Sequence, residues 1–370
     1  MRSKAIVDAK AFAEALAQVS KTAKRVSAPL PPVLSEVQVR FSNGRCILTA
    51  TDLETWLIKE IPAQGDDFAF VFRRTKDIVK ACRFFAEELI IEAGDPAERN
   101  KRTLELSLTC GGRCCEFDAL TAEDYPDYEP FEAENVFPVN AAALLRRVER
   151  VGYAAPLPSV NTRSSVAGIQ MVGNRVFALD GVRMACDTDS SFSFPRPFIA
   201  RMDALSLLKL FGDQEVMIAL GERRGQISDG MTTVGFRLLG NDFFHVESAV
   251  SLAYKEKITL SPKDMLRELK YLKEFTANVL RPDVRFQAGG LLMPTGSGKY
   301  KTGVEITGKN EIAFAFRLCN MMDAMRQFQD EPLVTVKITS AVSPIVIEAE
   351  GRNDFALVCP VRIRDKLSAA

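Results

Sequence analysis

The sequence predicts an α+β protein made of three tandem copies of one unit, each copy two helices backed by antiparallel strands. Two amphipathic series and one set of alternating runs predict it. In the first series Phe12, Leu144 and Met265 coincide, then Leu16, Val148 and Leu269, then Val19, Val151 and Leu272, at offsets of 132 and 121 residues. The second series matches Val79, Leu205 and Met322, then Cys82, Leu208 and Met325, then Phe85, Phe211 and Phe328, at offsets of 126 and 117. Spacings of three hold such residues on one helix face, and two series recurring in the same order mark a repeated unit.

Taken in order, the first copy has helices expected over residues 7–19 and 72–85, with strands at 36–41, 45–50 and 55–60 between them, where β-branched and alternating residues run. A further strand follows at 89–92. The second copy repeats this with helices over 139–151 and 198–211, a strand ending at Asp180 that parallels the one ending at Asp52, and another at 215–220. Helices over 260–272 and 315–328 and a strand at 333–338 complete the third. Domain boundaries are accordingly expected at 1–131, 132–253 and 254–370.

At 370 residues and 47% hydrophobic composition, each copy can bury its own core. The longest apolar runs, such as 312–316, fall far short of the roughly 20 residues that cross a bilayer, and no apolar block follows the charged start, so neither a membrane span nor a secretory leader is expected. Eight cysteines without a framework spacing read as reduced thiols of a cytosol. His245 is the single histidine, which removes most general-base and zinc chemistry. No catalytic group, metal or cofactor is expected.

Charge is balanced overall, 48 basic against 48 acidic residues, but unevenly placed. The six helical windows (9–24, 74–85, 140–151, 201–211, 261–274 and 317–328) hold ten more Lys and Arg than Asp and Glu, so the remainder carries the opposite excess. On a helical wheel Arg146, Arg147 and Arg150 cluster opposite Leu144, Val148 and Val151; Lys76, Lys80 and Arg83 form a second stripe, and Lys263, Arg267, Lys270 and Lys273 a third. One basic position recurs in every copy, as Arg83, Lys209 and Arg326, and Lys21, Lys24 and Arg25 end the first helix. Basic helix faces without an aromatic or amide ladder suit a phosphate backbone held by charge and shape, not by base sequence.

Several short stretches add to this: Thr-Ala-Thr-Asp-Leu-Glu at 49–54, Asp-Tyr-Pro at 124–126, Ala-Leu-Asp-Gly-Val-Arg-Met at 178–184 and Val-Cys-Pro-Val-Arg-Ile at 358–363. As an ordered set over essentially the whole chain they resemble the bacterial DNA polymerase III β subunit, the sliding clamp. The resemblance implies three DNA-clamp domains per chain, two chains closing head to tail into a ring around duplex DNA, and a cytoplasmic, nucleoid-associated bacterial protein. It also implies a pocket for Gln-Leu-x-Leu-Phe-like peptides of the polymerase III catalytic subunit, the clamp loader and repair proteins. Its wall maps onto Val166, Leu179, Gly181, Arg183, Met184, Phe244, Leu357, Val358, Cys359, Pro360, Val361, Arg362 and Ile363. Two apolar peptide side chains buried at about 1.5–3 kcal/mol each, set against the cost of association, lead to affinities of about micromolar.

The chain departs from the family in places. Leu179, Val182 and Met184 replace the family's Thr, His and Leu, Phe244 stands where Pro is frequent, and Ser248 replaces a basic residue. Residues 364–370 follow the usual terminal pair and either drape over the pocket or hang free. The segment 294–301 is glycine-rich and basic where relatives are often acidic and face a basic edge of domain one. Two other readings follow: a phage or mobile-element paralogue that binds partner peptides without forming a stable ring, and a nucleotide-dependent enzyme resting on Gly296 to Lys299. The latter lacks the P-loop's first Gly and its Ser or Thr, whose places hold Met293 and Tyr300, so a loop between strands is expected there.

Overall fold

A computed structural model of the chain describes residues 2–23, 31–97, 100–156, 168–240, 242–250, 253–277 and 279–362. Its elements begin with β1 (Ser3–Asp8), α1 (Ala9–Ala23), β2 (Gln38–Ser42), β3 (Arg45–Thr51), β4 (Thr55–Gly65), β5 (Phe68–Val71), α2 (Thr75–Cys82), β6 (Glu88–Ala97), β7 (Asn100–Cys110) and β8 (Arg113–Thr121). Next come β9 (Asn135–Asn140), α3 (Ala141–Gly152), β10 (Ile169–Val172), β11 (Arg175–Leu179), β12 (Arg183–Thr188), β13 (Phe198–Ala200), α4 (Met202–Leu205), β14 (Glu215–Leu220), β15 (Arg224–Ser228) and β16 (Thr232–Arg237). The last are β17 (Glu256–Leu260), α5 (Pro262–Lys273), β18 (Asp283–Gln287), β19 (Gly290–Pro294), β20 (Lys299–Gly303), β21 (Phe314–Arg317), α6 (Leu318–Arg326), β22 (Val334–Ile338), β23 (Ile345–Glu348) and β24 (Asp354–Val358).

The three long helices start two residues later than the apolar series suggests, because a capping side chain ends a short strand first. Asp8 accepts the amide of Ala11 at 2.7 Å, Asn140 that of Ala143 at 2.7 Å, and Ser261 that of Asp264 at 3.2 Å, with Pro262 in the first turn. These three caps stand at the same offsets, 132 and 121, as the buried positions behind them. Each short polar residue satisfies an amide that the helix leaves free. The second helices are shorter than expected: the starts of the second and third windows are the strands β13 and β21, and in the first, β5 ends at Val71 and the helix begins only at Thr75. In the middle copy the helix is one turn of α4 continued by a 3-10 turn, Ser206–Leu210.

Contacts group the residues into two compact units, 1–143 with 207–238, and 144–206 with 239–370. The first unit holds a sheet in the order β1-β6-β7-β8-β5-β2-β3-β4-β16-β15-β14-β9, with β4 also pairing β1. Helix α1 lies on β3 and β4 and buries Phe12, Leu16 and Val19 completely. In the second unit one sheet runs β13-β10-β11-β12-β24-β23-β22-β17 and another β20-β19-β18-β21. Between α5, α6 and these sheets lies a core that includes Leu269, Phe286, Phe316, Met325 and Ile347. Each such side chain contributes about 1.5–3 kcal/mol on burial. The expected loop at Gly296 is the turn between β19 and β20; a strand follows it, where a phosphate-binding loop needs a helix.

One hairpin turn is built three times. Asp52 takes the amides of Glu54 and Thr55, Asp180 those of Val182 and Arg183, and Asp229 those of Met231 and Thr232. The residue after each Asp has a positive φ: Gly181 at 86°, Gly230 at 91° and Leu53 at 71°. Only the last carries a side chain, which is 47% exposed and so gains little from burial. A left-handed conformation costs a residue with a Cβ about 1–2 kcal/mol, partly offset by the entropy glycine loses on folding. Leu53→Gly is therefore expected to stabilise the protein by about 0.5–1 kcal/mol, read as a higher urea midpoint; a lower midpoint would show that the leucine's contacts outweigh its strain.

Candidate functional site

The hairpin β11–β12 and strand β24 set out an apolar stripe on one face of the second unit's larger sheet. Leu179 faces Met184, and Met184 faces Leu357; Phe177 faces Cys186, and Cys186 faces Phe355. Leu357 in turn faces Val346 on β23. Phe244, Val246, Ala249, Val250 and Tyr254, which precede β17, lie over this stripe. Leu179, Met184 and Leu357 are nearly fully buried, whereas Phe244 and Cys359 stay half-buried, which makes them the wall that an incoming side chain would meet.

Strand alternation corrects one expected member: Val358 points to the opposite face, into the core behind α5 and α6. Its neighbours Leu357 and Cys359 take the groove face. The Cys359 amide donates to the Val182 carbonyl at 2.9 Å and that of Val361 to Ala315 at 2.8 Å, so the chain end is tied down along the groove's rim, Pro360 half-buried and Arg362 exposed. Gly181 sits at the hairpin tip, where an added Cβ would meet open space. Burial, reinforced by the Asp180 carboxylate, pushes the Cys359 thiol up, so it stays protonated at neutral pH and presents a small apolar surface. Val166, Ile363 and the extension 364–370 lie outside the described residues.

Arg183 forms the polar corner. Its guanidinium donates to Asp180 at 2.9 Å and to Asp323 of α6 at 2.5 Å, and lies 5.8 Å from the centre of the Tyr153 ring. Tyr153 follows α3 directly; its hydroxyl is buried and, among the described residues, has no hydrogen-bond partner. Burial holds that phenol well above its ordinary range, with Arg183 pulling the other way. Sequence reading passes over Tyr153 and Asp323. The repeat gives no signal for Asp323, whose counterparts at the same offsets are Ser206 and Lys80.

The basic helix positions divide into two groups. Lys21, Lys76, Lys80, Arg83, Arg146, Arg150, Lys209, Lys263, Arg267, Lys270, Lys273 and Arg326 are exposed. Among the described residues, Lys21, Lys76, Arg83, Arg146, Lys209, Lys263, Lys270 and Lys273 have no ion-pair partner, whereas Lys80 pairs with Asp77, Arg267 with Asp264 and Glu268, and Arg326 with Asp323. Lys24 and Arg25 lie outside the described residues.

Arg147 is the correction: it is 7% exposed and faces the protein, not solvent. Its guanidinium donates to Asp187 at 2.6 Å and to the Asn174 carbonyl at 2.7 Å, over the ring of Phe194. Arg150 reaches the other oxygen of Asp187 at 2.8 Å. Across the sheet Asp187 stands directly opposite Asp354, which Arg352 holds through two bonds of 2.7 and 2.6 Å. Like charges facing each other across strands repel, so the two carboxylates are accommodated by an arginine on each side.

No family model matches the chain. In sequence it is similar to the beta sliding clamp of Vibrio cholerae, 22% identical over 201 residues, which is 51% of this chain and 52% of that protein. The match thus spans about half the length of that relative. In structure it is similar to the DNA polymerase III subunit beta of Bartonella birtlesii bound to griselimycin, with TM-score 0.83 and 19% identity over 98% of this chain and 100% of that one. The β subunit of Thermotoga maritima gives TM-score 0.82 and 17% identity, again over 98% and 100%. Repeated helix pairs on antiparallel sheets, matched end to end, define a sliding-clamp fold. At these identities the likeness fixes the fold, which the chain shares with bacterial DNA polymerase III β subunits.

Proposed function

We propose that the protein is a non-enzymatic DNA sliding clamp of three domains, 1–131, 132–253 and 254–370. Two chains close head to tail around duplex DNA in the bacterial cytoplasm and hold the polymerase III catalytic subunit and other replication or repair proteins by peptides seated in the groove at Phe244 and Cys359. The observation that carries this reading is the set of exposed, unpaired cations recurring on the helices of every repeat, joined to a clamp fold over the whole chain. A closed ring retains DNA by topology, so each phosphate contact can stay weak and mobile. Groove peptides act by effective concentration, since a tethered polymerase rebinds a primer end faster than it diffuses away. The clamp loader is the partner that such a ring requires for opening.

The test separates the two roles. Reversing Arg146, Lys263 and Lys270 together to Glu is expected to weaken retention on circular DNA about tenfold or more and to flatten its salt dependence, since each phosphate contact adds about one unit to the slope of log K against log salt. Binding of a Gln-Leu-x-Leu-Phe-like peptide should stay within about twofold, because none of the three touches the groove. Equal loss of both in a folded variant would refute the division.

A further inference from the structure

Among the strands that keep an open edge in the described residues, β8 and β20 carry opposite charges. Strand β8 pairs β7 along its length but meets β5 only at Leu120 and Thr121, so residues 113–119 present backbone groups without a ladder partner. Strand β20 pairs β19 and nothing else among the described residues. An unpaired edge is a template for a strand from another chain. On β8 the outward residues include Glu116 and Asp118, beside Glu105 on β7, which directly faces Asp118. Arg113 begins the strand, and Arg2 and Arg73 make only loose, exposed pairs with Glu105 and Asp118 at 3.3 and 3.9 Å. On β20 the outward residues are Lys299 and Lys301, neither with an ion-pair partner among the described residues.

Each edge also has a helix beside it with an exposed aromatic ring. Behind β8, the Cys110 thiol donates to the Ala86 carbonyl just past α2, and Phe84 at the end of that helix is 68% exposed. Behind β20, Tyr300 stacks on Phe275 at 4.0 Å, Phe275 meets Tyr271 edge-on at 5.2 Å, and Tyr271 is 46% exposed. Acidic edge with one bare ring and basic edge with another are complementary in kind.

We infer that a second copy of this chain docks by adding its basic β20 to the acidic β8, and that the sign of these edges selects the partner. The inference rests on the head-to-tail reading above and deepens it: the basic segment 294–301 carries the ring interface of this chain with inverted polarity. A chain with an acidic last-domain edge meets like charge at β8 and is excluded, because like-charge juxtaposition suppresses wrong partners.

Two variants test it by light scattering over a dilution series. Glu116→Lys with Asp118→Lys makes both edges basic; Lys299→Glu with Lys301→Glu makes both acidic. Each alone is expected to raise the dimer dissociation constant about a hundredfold or more and to run as the 40.9 kDa chain. Mixed one to one they match charge at both contacts, and twice that mass should return. The unaltered dimer should also weaken about tenfold between low and high salt. If both variants dimerise as tightly as the unaltered chain, the dimer stands and the charge assignment fails. Variants that melt normally yet stay monomeric on mixing would also overturn it. An unaltered chain that is monomeric at every concentration and salt defeats the ring reading, and this inference with it.

Discussion

Arg147→Ala will lower the stability of the protein by about 3 kcal/mol or more, the effect of removing one partner from a buried ion pair. Asp187 is 2% exposed, and without Arg147 its carboxylate keeps, among the described residues, only the half-exposed Arg150 on one oxygen, while the Asn174 carbonyl is left with the Asp189 amide alone. Arg146→Ala, one residue earlier on the exposed face of α3, should move the urea midpoint by no more than about 0.5 kcal/mol. Denaturant titration of the pair of variants decides the matter. Equal midpoints would mean that the Asp187 cluster is solvated in solution. The contrast matters for function, because a DNA-binding defect in an Arg147 variant would report unfolding and not a lost phosphate contact.

Phe244→Ala will weaken a fluorescent Gln-Leu-x-Leu-Phe-like peptide by about ten- to a hundredfold, the equivalent of about 1.5–3 kcal/mol of apolar contact. The ring is half-buried and packs over Leu179, Met184 and Leu357, and in binding surfaces a few such aromatic walls carry most of the energy. Its amide is fixed by Gln170 at 3.0 Å, so the backbone keeps its place when the ring is removed. Met184→Ala is the poorer probe: the side chain is 2% exposed, and its loss leaves a cavity that destabilises the sheet by about 2–5 kcal/mol. Unchanged peptide polarisation with Phe244→Ala would place the binding surface elsewhere.

The repeat and the groove's floor were legible because both depend on local periodicity. Apolar spacing placed Phe12, Leu144 and Met265 on equivalent buried faces, and alternation placed Leu179 and Met184 on strands. Asp8, Asn140 and Ser261 are equally regular, but a cap is a single residue and its signal is visible only once the three copies are aligned. Arg147 was misplaced for a different reason. A helical wheel sets it beside Arg146 and Arg150, and nothing within a turn of α3 reveals an aspartate forty residues downstream that draws it inward. Val358 was misassigned by taking a terminal run as one surface where a strand has two. Tyr153 and Asp323 converge on Arg183 from two different helical segments, a pairing set by tertiary contacts and by no spacing along the chain.

The pairing of β12 with β24 also sets a schedule for synthesis. The two strands lie about 170 residues apart, and at roughly 5–20 residues per second a ribosome needs about ten to thirty seconds to pass from one to the other. Throughout that interval Met184 and Cys186 have no strand neighbour on one side, and Asp187 waits for the strand that brings Asp354 and its arginine. The nascent chain therefore carries an adhesive half-sheet until β24 emerges, which makes truncations that remove this strand far more damaging than their length suggests.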